Sequence, residues 1–259
     1  VDNQGYRDAV RLHNAGLTVA AILDIRQSPA NSPSIQAAAA AGIRVLHGQT
    51  ALDTLAADNG TVAAVIAGTA DGTETETIHA DLVAVSGGWT PTVHLATYIG
   101  IKPVWRQDLA AFVVDVNNDM VSTAGMLAGD FGDDDEPAAF YVPTLTDEQA
   151  LTAFVDFQRD ATYRDVKRAI GAGMQSIEHV KRYTAIGTAH DQGKTSGTLT
   201  MGMIAASLGK RPDEVGSLTF RPPYVGVPFN ALAGRDRGHL LDPVRTSQVH
   251  SRYTWAPME

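Results

Sequence analysis

The chain has 259 residues, of which 44% are hydrophobic, enough to bury a sizeable core and to form two modest domains. Its net charge of −9 argues against a nucleic-acid-binding protein, because such proteins normally present a basic surface. The absence of cysteine excludes disulfides, thiolate zinc sites and cysteine-ligated iron–sulfur clusters. No apolar run is long enough to span a membrane and no signal peptide is visible, so we expect a cytoplasmic protein that handles small molecules.

The beginning of the chain is predicted to alternate helices and strands. Helical spacing of apolar residues predicts helices over residues 6–15 and 35–41, the second capped by Ser34, and a glycine follows each of them. Apolar runs predict strands over 17–23 and 43–46. This alternation is typical of a parallel sheet, here without its first strand. Because the chain also lacks an initial methionine and ends abruptly, we expect a fragment of a longer polypeptide.

The pattern then changes to an antiparallel hairpin. Residues 62–66 and 73–79 are predicted strands on either side of an Asp71–Gly72 turn. Three further strands are predicted over residues 81–86, 112–115 and 123–130. The acidic run 133–137 indicates a solvated loop, with a metal site as the alternative.

Helix signals dominate the second half of the chain. Thr162, with Asp165 three residues later, forms a capping box before a helix over 163–170, and Ser176 caps the next helix, over 177–183. A third helix is predicted over 199–208, followed by an extended, proline-stiffened segment over 220–224.

The predicted fold class is α/β, with an extended connector at the end. Residues 1–142 are predicted to form an incomplete, Rossmann-like dinucleotide-binding domain of the FAD/NAD(P) type. Residues 150–212 are predicted to form a small helical domain, and residues 213–259 the connector.

Asp24 and Arg26 follow the predicted strand 17–23, which would be the second strand of a dinucleotide fold whose first strand is missing. An acidic residue there often binds a ribose hydroxyl, about 20 residues after a glycine-rich turn. Gly5 lies 19 residues upstream of Asp24, but the GxGxxG pattern is absent. A nucleotide contact and a purely structural strand end therefore both stay open.

Two other stretches carry candidate cofactor-binding residues. Small residues and a carboxylate at Ala128, Gly129 and Asp130 suit contact with ribose or ribityl hydroxyls, and a plain turn is the alternative. The polar turn 191–197 suits a phosphate because it precedes a helix, although it is not a P-loop and a surface loop is the alternative. Its candidate ligands are Gln192, Lys194, Thr195 and Ser196.

Arg221 precedes two prolines, so its guanidinium is either presented rigidly to an anion or simply solvated. The eight histidines show no spacing typical of a metal site, so no metal is predicted. No catalytic residue can be assigned, because no nucleophile motif such as GxSxG is present.

Several long motifs resemble known flavoproteins. The order of elements, with ADLVAVSGGWTPTVHL and then TAGMLAGDFG, resembles the pyridine-nucleotide-linked flavoprotein reductases. The chain more specifically resembles the α subunits of heterotetrameric sarcosine oxidases, through AFVDFQRDAT, EHVKRYTAIGTAHDQGKTSG and TFRPPYVGVPF. Amine oxidases and dehydrogenases acting on proline, hydroxyproline or opines share this architecture.

The resemblance implies a flavin-dependent amine oxidoreductase in which this chain acts only as part of a complex. The α subunit would bind NAD noncovalently in a first lobe and tetrahydrofolate in a last domain, and would assemble with β, γ and δ subunits. FAD in the β subunit would oxidise sarcosine, and FMN at the α/β interface would reduce oxygen to hydrogen peroxide. The alternatives are a subunit of a related proline, hydroxyproline or opine enzyme, and a non-catalytic scaffold for subunit assembly.

The resemblance also gives roles to particular residues. The helical domain is similar to [2Fe–2S]-binding domains, but residues 156–158 and 191–194 stand where those domains carry cysteines. The resemblance implies FMN contacts from the polar turn and a phosphate contact from Arg221; the turn residues are Gln192, Lys194, Thr195 and Ser196.

Overall fold

The computed structural model describes residues 1–132 and 140–235, together with Gly238 and Gln248. The predicted acidic loop at 133–137 lies outside the described residues. The chain separates into a compact unit from Val1 to Arg221 and a second unit from Pro222 to Glu259. Within the described ranges, no helix combines the length and the apolar character needed to cross a membrane.

The first elements form a parallel crossover unit. They are α1 (Gln4–Asn14), β1 (Ile22–Asp24), α2 (Pro33–Ala40) and β2 (Val45–His47), and β1 pairs with β2 in parallel. The predicted helix–strand–helix–strand order is confirmed, although β1 is much shorter than the predicted strand. The cap of α2 is Ser32, whose Oγ accepts a hydrogen bond from the Ile35 N–H. The predicted cap, Ser34, is wrong, because proline is well tolerated as the first residue of a helix and Pro33 takes that position.

A three-stranded antiparallel sheet follows, in the order β3 (Gln49–Ala56), β4 (Val62–Thr69) and β5 (Thr75–His79). The predicted hairpin is confirmed as β4 and β5, and the turn between them is fixed by the Asp71 carboxylate. β3 was not predicted from the sequence. Its side chains are mostly exposed, so it lacks the regular apolar alternation that identifies a half-buried strand.

Two predicted strands in the middle of the chain are wrong. Residues 81–86 form no strand, and Leu82 and Val85 are 67% and 85% exposed. An apolar run in the sequence does not identify a pairing partner, and no strand in the described part of the chain pairs with residues 81–86. Residues 123–130 also form no strand; they contain a 3₁₀ turn over Gly125–Ala128, because the positive φ angles of Gly125 and Gly129 interrupt an extended backbone.

Between these segments lie the short helix α3 (His94–Tyr98) and a hairpin of β6 (Val104–Arg106) and β7 (Ala111–Val113). β7 confirms the first half of the predicted strand at 112–115, and β6 is an addition.

The helical part of the first unit is built around one apolar helix. Its elements are α4 (Asp147–Thr152), β8 (Phe154–Asp156), β9 (Ala161–Thr162), α5 (Tyr163–Gly171), α6 (Ile177–Thr184), α7 (Gly197–Leu208) and α8 (Pro212–Val215). The three predicted helices are confirmed as α5, α6 and α7. The predicted caps at Thr162 and Ser176 are confirmed by their hydrogen bonds. α7 is buried along most of its length, and Met201 and Ile204 lie in the main hydrophobic core with Phe112 from β7.

The second unit contains α9 (Phe229–Ala233) among its described residues. Its neighbours from 222 to 228 form no helix or strand, and the chain bends at residues 222, 224 and 225.

Candidate functional site

An open cleft lies in the first unit, where three separate segments of the chain and Phe112 of β7 meet. The first segment precedes and starts α3, the second leads into α7, and the third follows α8. The lining residues are Thr90, Pro91, Thr92, Val93, His94, Phe112, Gly193, Lys194, Gly197, Thr198, Met201, Ser217, Leu218 and Phe220. Two of the sequence motifs, the loop before His94 and the turn before α7, therefore meet at one place.

The start of α7 gives the cleft an anion-binding character. The first N–H groups of a helix have no intrahelical acceptor, and the helix dipole adds a partial positive charge there. In α7 the Gly197 N–H already donates to the carbonyl oxygen of Gly193 at 2.9 Å, so the N–H groups that follow it are the candidates for an anion. Lys194 and Thr198, on either side of the helix start, both line the cleft. An ammonium group, a hydroxyl and helix N–H groups together are a donor set that fits a phosphate or another anion.

His94 connects the three walls and was not predicted from the sequence. It is 2% exposed, its Nε2 lies 3.2 Å from the carbonyl oxygen of Gln192, and its ring stacks on Phe220 with 3.6 Å between ring centroids. Burial lowers the pKa of His94, and the nearby Lys194 ammonium lowers it further, so the ring is neutral at pH 7. Because a carbonyl oxygen only accepts, the Nε2 atom carries the proton.

Both polar atoms of the Gln192 side chain form hydrogen bonds with the protein backbone. Its Nε2 donates to the carbonyl oxygen of Ala189, and its Oε1 accepts from the backbone N–H of Arg221. The carbonyl oxygen of Arg221 in turn accepts from the Tyr98 hydroxyl, while the Arg221 residue is exposed. The backbone of Arg221 is thus fixed beside the turn, but its guanidinium is not drawn into the cleft lining.

The turn before α7 is shaped by one aspartate. Asp191 accepts hydrogen bonds from the Gly193 N–H and from the Thr195 hydroxyl, the latter at 2.9 Å. Thr195 is exposed and lies next to Lys194, but it is not part of the cleft lining. The turn is therefore held in one shape by its own side chains.

Ser196 is fully buried and does not line the cleft. Its hydroxyl donates to Oδ2 of Asp156, an atom that also accepts the Gly187 N–H at 2.8 Å. Oδ1 of the same carboxylate accepts the N–H groups of Gln158 and Arg159. Asp156 therefore ties the β8–β9 hairpin to the start of α7, and Ser196 belongs to this structural network rather than to the ligand-facing surface.

A single leucine packs into a cradle of three glycines beside the cleft. A Cβ atom on Gly187, Gly193 or Gly197 would lie only 2.8, 2.6 or 2.9 Å from Cδ1 of Leu218. Gly187 and Gly193 also have positive φ angles of 72° and 71°. Leu218 lines the cleft, so this close packing fixes one of its walls.

The other predicted cofactor contacts lie outside this cleft. Ala128 and Gly129 end the 3₁₀ turn, and Gly129 has Leu109 as its close neighbour. Asp130 is exposed and accepts the Gly132 N–H. The structure therefore does not bring Ala128, Gly129 or Asp130 together with Lys194 at the cleft.

Asp24 and Arg26 form a buried ion pair. Asp24 is 2% exposed, and its carboxylate accepts from the Arg26 guanidinium at 2.8 Å and from the Tyr6 hydroxyl at 2.8 Å. Burial alone would raise the pKa of Asp24, but the hydrogen bonds from Arg26 and Tyr6 outweigh it and hold the pKa below its usual value. Since these bonds engage both carboxylate oxygens, the geometry favours the structural alternative over a ribose contact.

Within the ranges that the structure describes, no three histidine, aspartate or glutamate side chains come together as a metal site would require.

Comparisons with known proteins agree with the resemblance in the motifs. Residues 150–235 match the family described as the sarcosine oxidase A3 domain. The chain is 40% identical over 275 residues to the sarcosine oxidase subunit alpha of Corynebacterium sp. (strain P-1), covering 90% of this chain and 28% of that protein. It is 33% identical to the same subunit of Rhizobium meliloti (strain 1021), covering 98% of this chain and 28% of that protein.

A solved structure shares the fold. The crystal structure of L-proline dehydrogenase from P. horikoshii matches with a TM-score of 0.55 and 17% identity, covering 77% of this chain and 47% of that one. The mixed α/β class is thus confirmed. The chain spans about 28% of the length of the curated relatives it matches, and at 33–40% identity over 90% or more of its own length it is homologous to part of the sarcosine oxidase α subunit.

Proposed function

We propose that this chain is part of the α subunit of a sarcosine oxidase-type complex, and that its cleft forms one wall of an FMN site. The observation that carries the proposal is the meeting of Lys194 and the start of α7 at an open cleft. This cleft includes residues of the segment that matches the sarcosine oxidase A3 domain. The donor set fits the phosphate of a flavin mononucleotide.

Some residues of the turn would bind the ligand, and others would hold the turn in its conformation. Lys194 and Thr198 face the cleft and would bind the anionic part of the ligand. Thr195 and the exposed Arg221 guanidinium remain proposed contacts at its edge. Gln192 and Ser196, whose side chains bond to the protein itself, would hold the turn in place.

Electrostatics gives Lys194 a second role. A fixed positive charge beside a flavin favours the anionic form that the ring takes on reduction. A bound FMN would supply the redox chemistry that links the FAD of the β subunit to the reduction of oxygen to hydrogen peroxide, and Lys194 would hold it and stabilise its negative charge. In this scheme the chain supplies binding and a positive charge, and the oxidation of sarcosine takes place in the partner subunit.

The resemblance also supports proposals for the rest of the chain and for its partners. Residues 1–142 would be part of a Rossmann-like domain that binds NAD noncovalently, supported by the parallel pairing of β1 and β2. Ala128, Gly129 and Asp130 remain proposed nucleotide contacts of that domain. The proposal also includes the helical domain at 150–212 and the connector at 213–259. It further includes a distant tetrahydrofolate site, assembly with β, γ and δ subunits, and a cytoplasmic location.

A second candidate is a dehydrogenase subunit for another secondary amino acid. The shared fold with L-proline dehydrogenase favours it. It would use the same flavin cleft with a different substrate site in the partner, so both candidates predict flavin at Lys194. A scaffold without any cofactor predicts no flavin at all.

Flavin retention in the assembled complex tests the proposal. The complex of the full α polypeptide with its partner subunits is purified by gel filtration, and its FMN content is measured from absorbance and by mass spectrometry. Lys194→Ala should lower the FMN content, whereas Lys210→Ala, on a half-buried lysine that bonds to Gln175 and does not line the cleft, should leave it unchanged. An unchanged FMN content in Lys194→Ala would show that Lys194 does not bind FMN. A wild-type complex without FMN would reject both flavin hypotheses and favour the non-catalytic scaffold.

A further inference from the structure

His94 lies where the three walls of the cleft touch one another. Its own helix, α3, continues the loop that forms the first wall. Its Nε2 atom contacts the carbonyl oxygen of Gln192, in the second wall, across a separation of 98 residues. Its ring stacks on Phe220, in the third wall, at an interplanar angle of 27°. One buried side chain therefore sets the relative position of all three segments.

The Gln192 carbonyl is a point where the turn needs support. Gln192 has a φ of +53°, a left-handed conformation that is unfavourable for a residue other than glycine. The turn keeps this conformation because the His94 ring donates to its carbonyl oxygen and the Arg221 N–H binds its side chain. Lys194 follows two residues later, so its position in the cleft depends on the orientation of this peptide.

The charge of His94 is coupled to the same lysine. The groups that act on its ring are Lys194 and Asp191 from the turn, while the third wall presents the uncharged Phe220. Lys194 disfavours the imidazolium, and Asp191 favours it. An anion bound by Lys194 would offset the lysine charge and make protonation of His94 easier. By linkage, protonation of His94 would strengthen anion binding by the same factor.

We propose that His94 is a positioning residue of the anion site: its ring N–H holds the turn that carries Lys194, and its charge state sets how strongly the site attracts an anion. The inference rests on the anion-binding half of the proposed function and does not require that the anion be FMN. It predicts that anion binding takes up a proton at His94, so that affinity rises as the pH falls.

Sulfate is a suitable probe, because it stays dianionic between about pH 5.5 and about pH 8, the range that spans the ordinary histidine pKa. Flavin-free full-length protein is titrated with sulfate at constant ionic strength, and the dissociation constant is obtained from thermal shift or calorimetry. Wild-type protein should bind sulfate about fivefold or more tightly at about pH 5.5 than at about pH 8. Lys194→Ala should abolish this binding.

Two substitutions separate the hydrogen bond from the charge. His94→Phe keeps the stacking on Phe220 but loses the donor, so it should bind sulfate weakly at both pH values. His94→Gln keeps an N–H donor without a titratable charge, so it should approach wild-type affinity at about pH 8 and show no gain at about pH 5.5. His190→Gln, on an exposed histidine next to the same turn, is the control and should retain the wild-type pH dependence.

The outcomes are distinct. If His94→Gln retains the wild-type pH dependence, or if His94→Phe binds like the wild type at about pH 8, the proposal is wrong. His94→Gln alone decides the matter if His94→Phe does not fold. If sulfate behaves as expected but the complex holds no FMN, the role of His94 stands and the FMN assignment falls.

Discussion

Asp156 holds the turn before α7, and its replacement by alanine should be the most destabilising single polar change near the cleft. The carboxylate is 3% exposed and accepts four hydrogen bonds, two on each oxygen. The donors on one oxygen, the Gly187 N–H and the Ser196 hydroxyl, are both buried. The donors on the other oxygen belong to Gln158 and Arg159, in an exposed hairpin where water can replace the carboxylate.

The magnitude follows from this difference. A buried donor left without an acceptor costs about 1–3 kcal/mol, so the two buried donors give about 2–6 kcal/mol for Asp156→Ala. Asp156→Asn keeps one oxygen, which can turn toward Gly187 and Ser196 while the amide faces the solvated hairpin. It should therefore cost only about 1–2 kcal/mol.

Urea unfolding followed by circular dichroism measures these free energies, with Asp147→Ala as the control. Asp147 is also an aspartate of the helical part, but its side chain is 97% exposed, and among the described residues its carboxylate bonds to Lys167 alone. We expect no change in its unfolding midpoint. A loss below about 1 kcal/mol for Asp156→Ala, or equal losses for the alanine and asparagine variants, would refute the reasoning from buried donors.

Two further changes test other parts of the first unit. Gly193→Ala places a Cβ atom 2.6 Å from Leu218 Cδ1 at a φ of +71°, and should cost at least about 1–2 kcal/mol in urea unfolding. Gly171→Ala, in open space at the end of α5, should be neutral or stabilising; equal losses in both variants would contradict the argument. Tyr6→Phe removes a hydrogen bond to the buried Asp24 carboxylate and should cost about 1.5–3 kcal/mol near pH 7. Because this bond helps to lower the pKa of Asp24, its stabilisation is present above about pH 4 and is lost as the pH falls through the native pKa. A difference between wild type and Tyr6→Phe that does not shrink in acid would count against this assignment.

The helices could be predicted because their signals are local. Thr162, Asp165 and Ser176 are caps that act within three residues, and each forms the expected hydrogen bonds. Strands require a partner that no local pattern identifies. The apolar run at 81–86 therefore predicted a strand that is not formed, and the mostly exposed β3 was missed.

The candidate site could be predicted only where its signals are local in the sequence. The turn before α7 was recognised from its polar residues, and Lys194 does line the cleft. The buried role of Ser196 depends on Asp156, 40 residues earlier, and could not be read from the turn itself. His94 carries no sequence signal, because a single histidine gains meaning only when folding brings Gln192 and Phe220 to its ring.

The packing of Leu218 has a consequence for how this sequence can vary. Its Cδ1 atom lies close to three glycines of one stretch of the chain, between residues 187 and 197. A side chain at Gly187, Gly193 or Gly197 requires the Leu218 side chain either to move or to be replaced by a smaller one. We therefore expect substitutions at these four positions to be correlated. Homologous chains should therefore change these four residues together, and a leucine at 218 should accompany glycine at all three of the other positions.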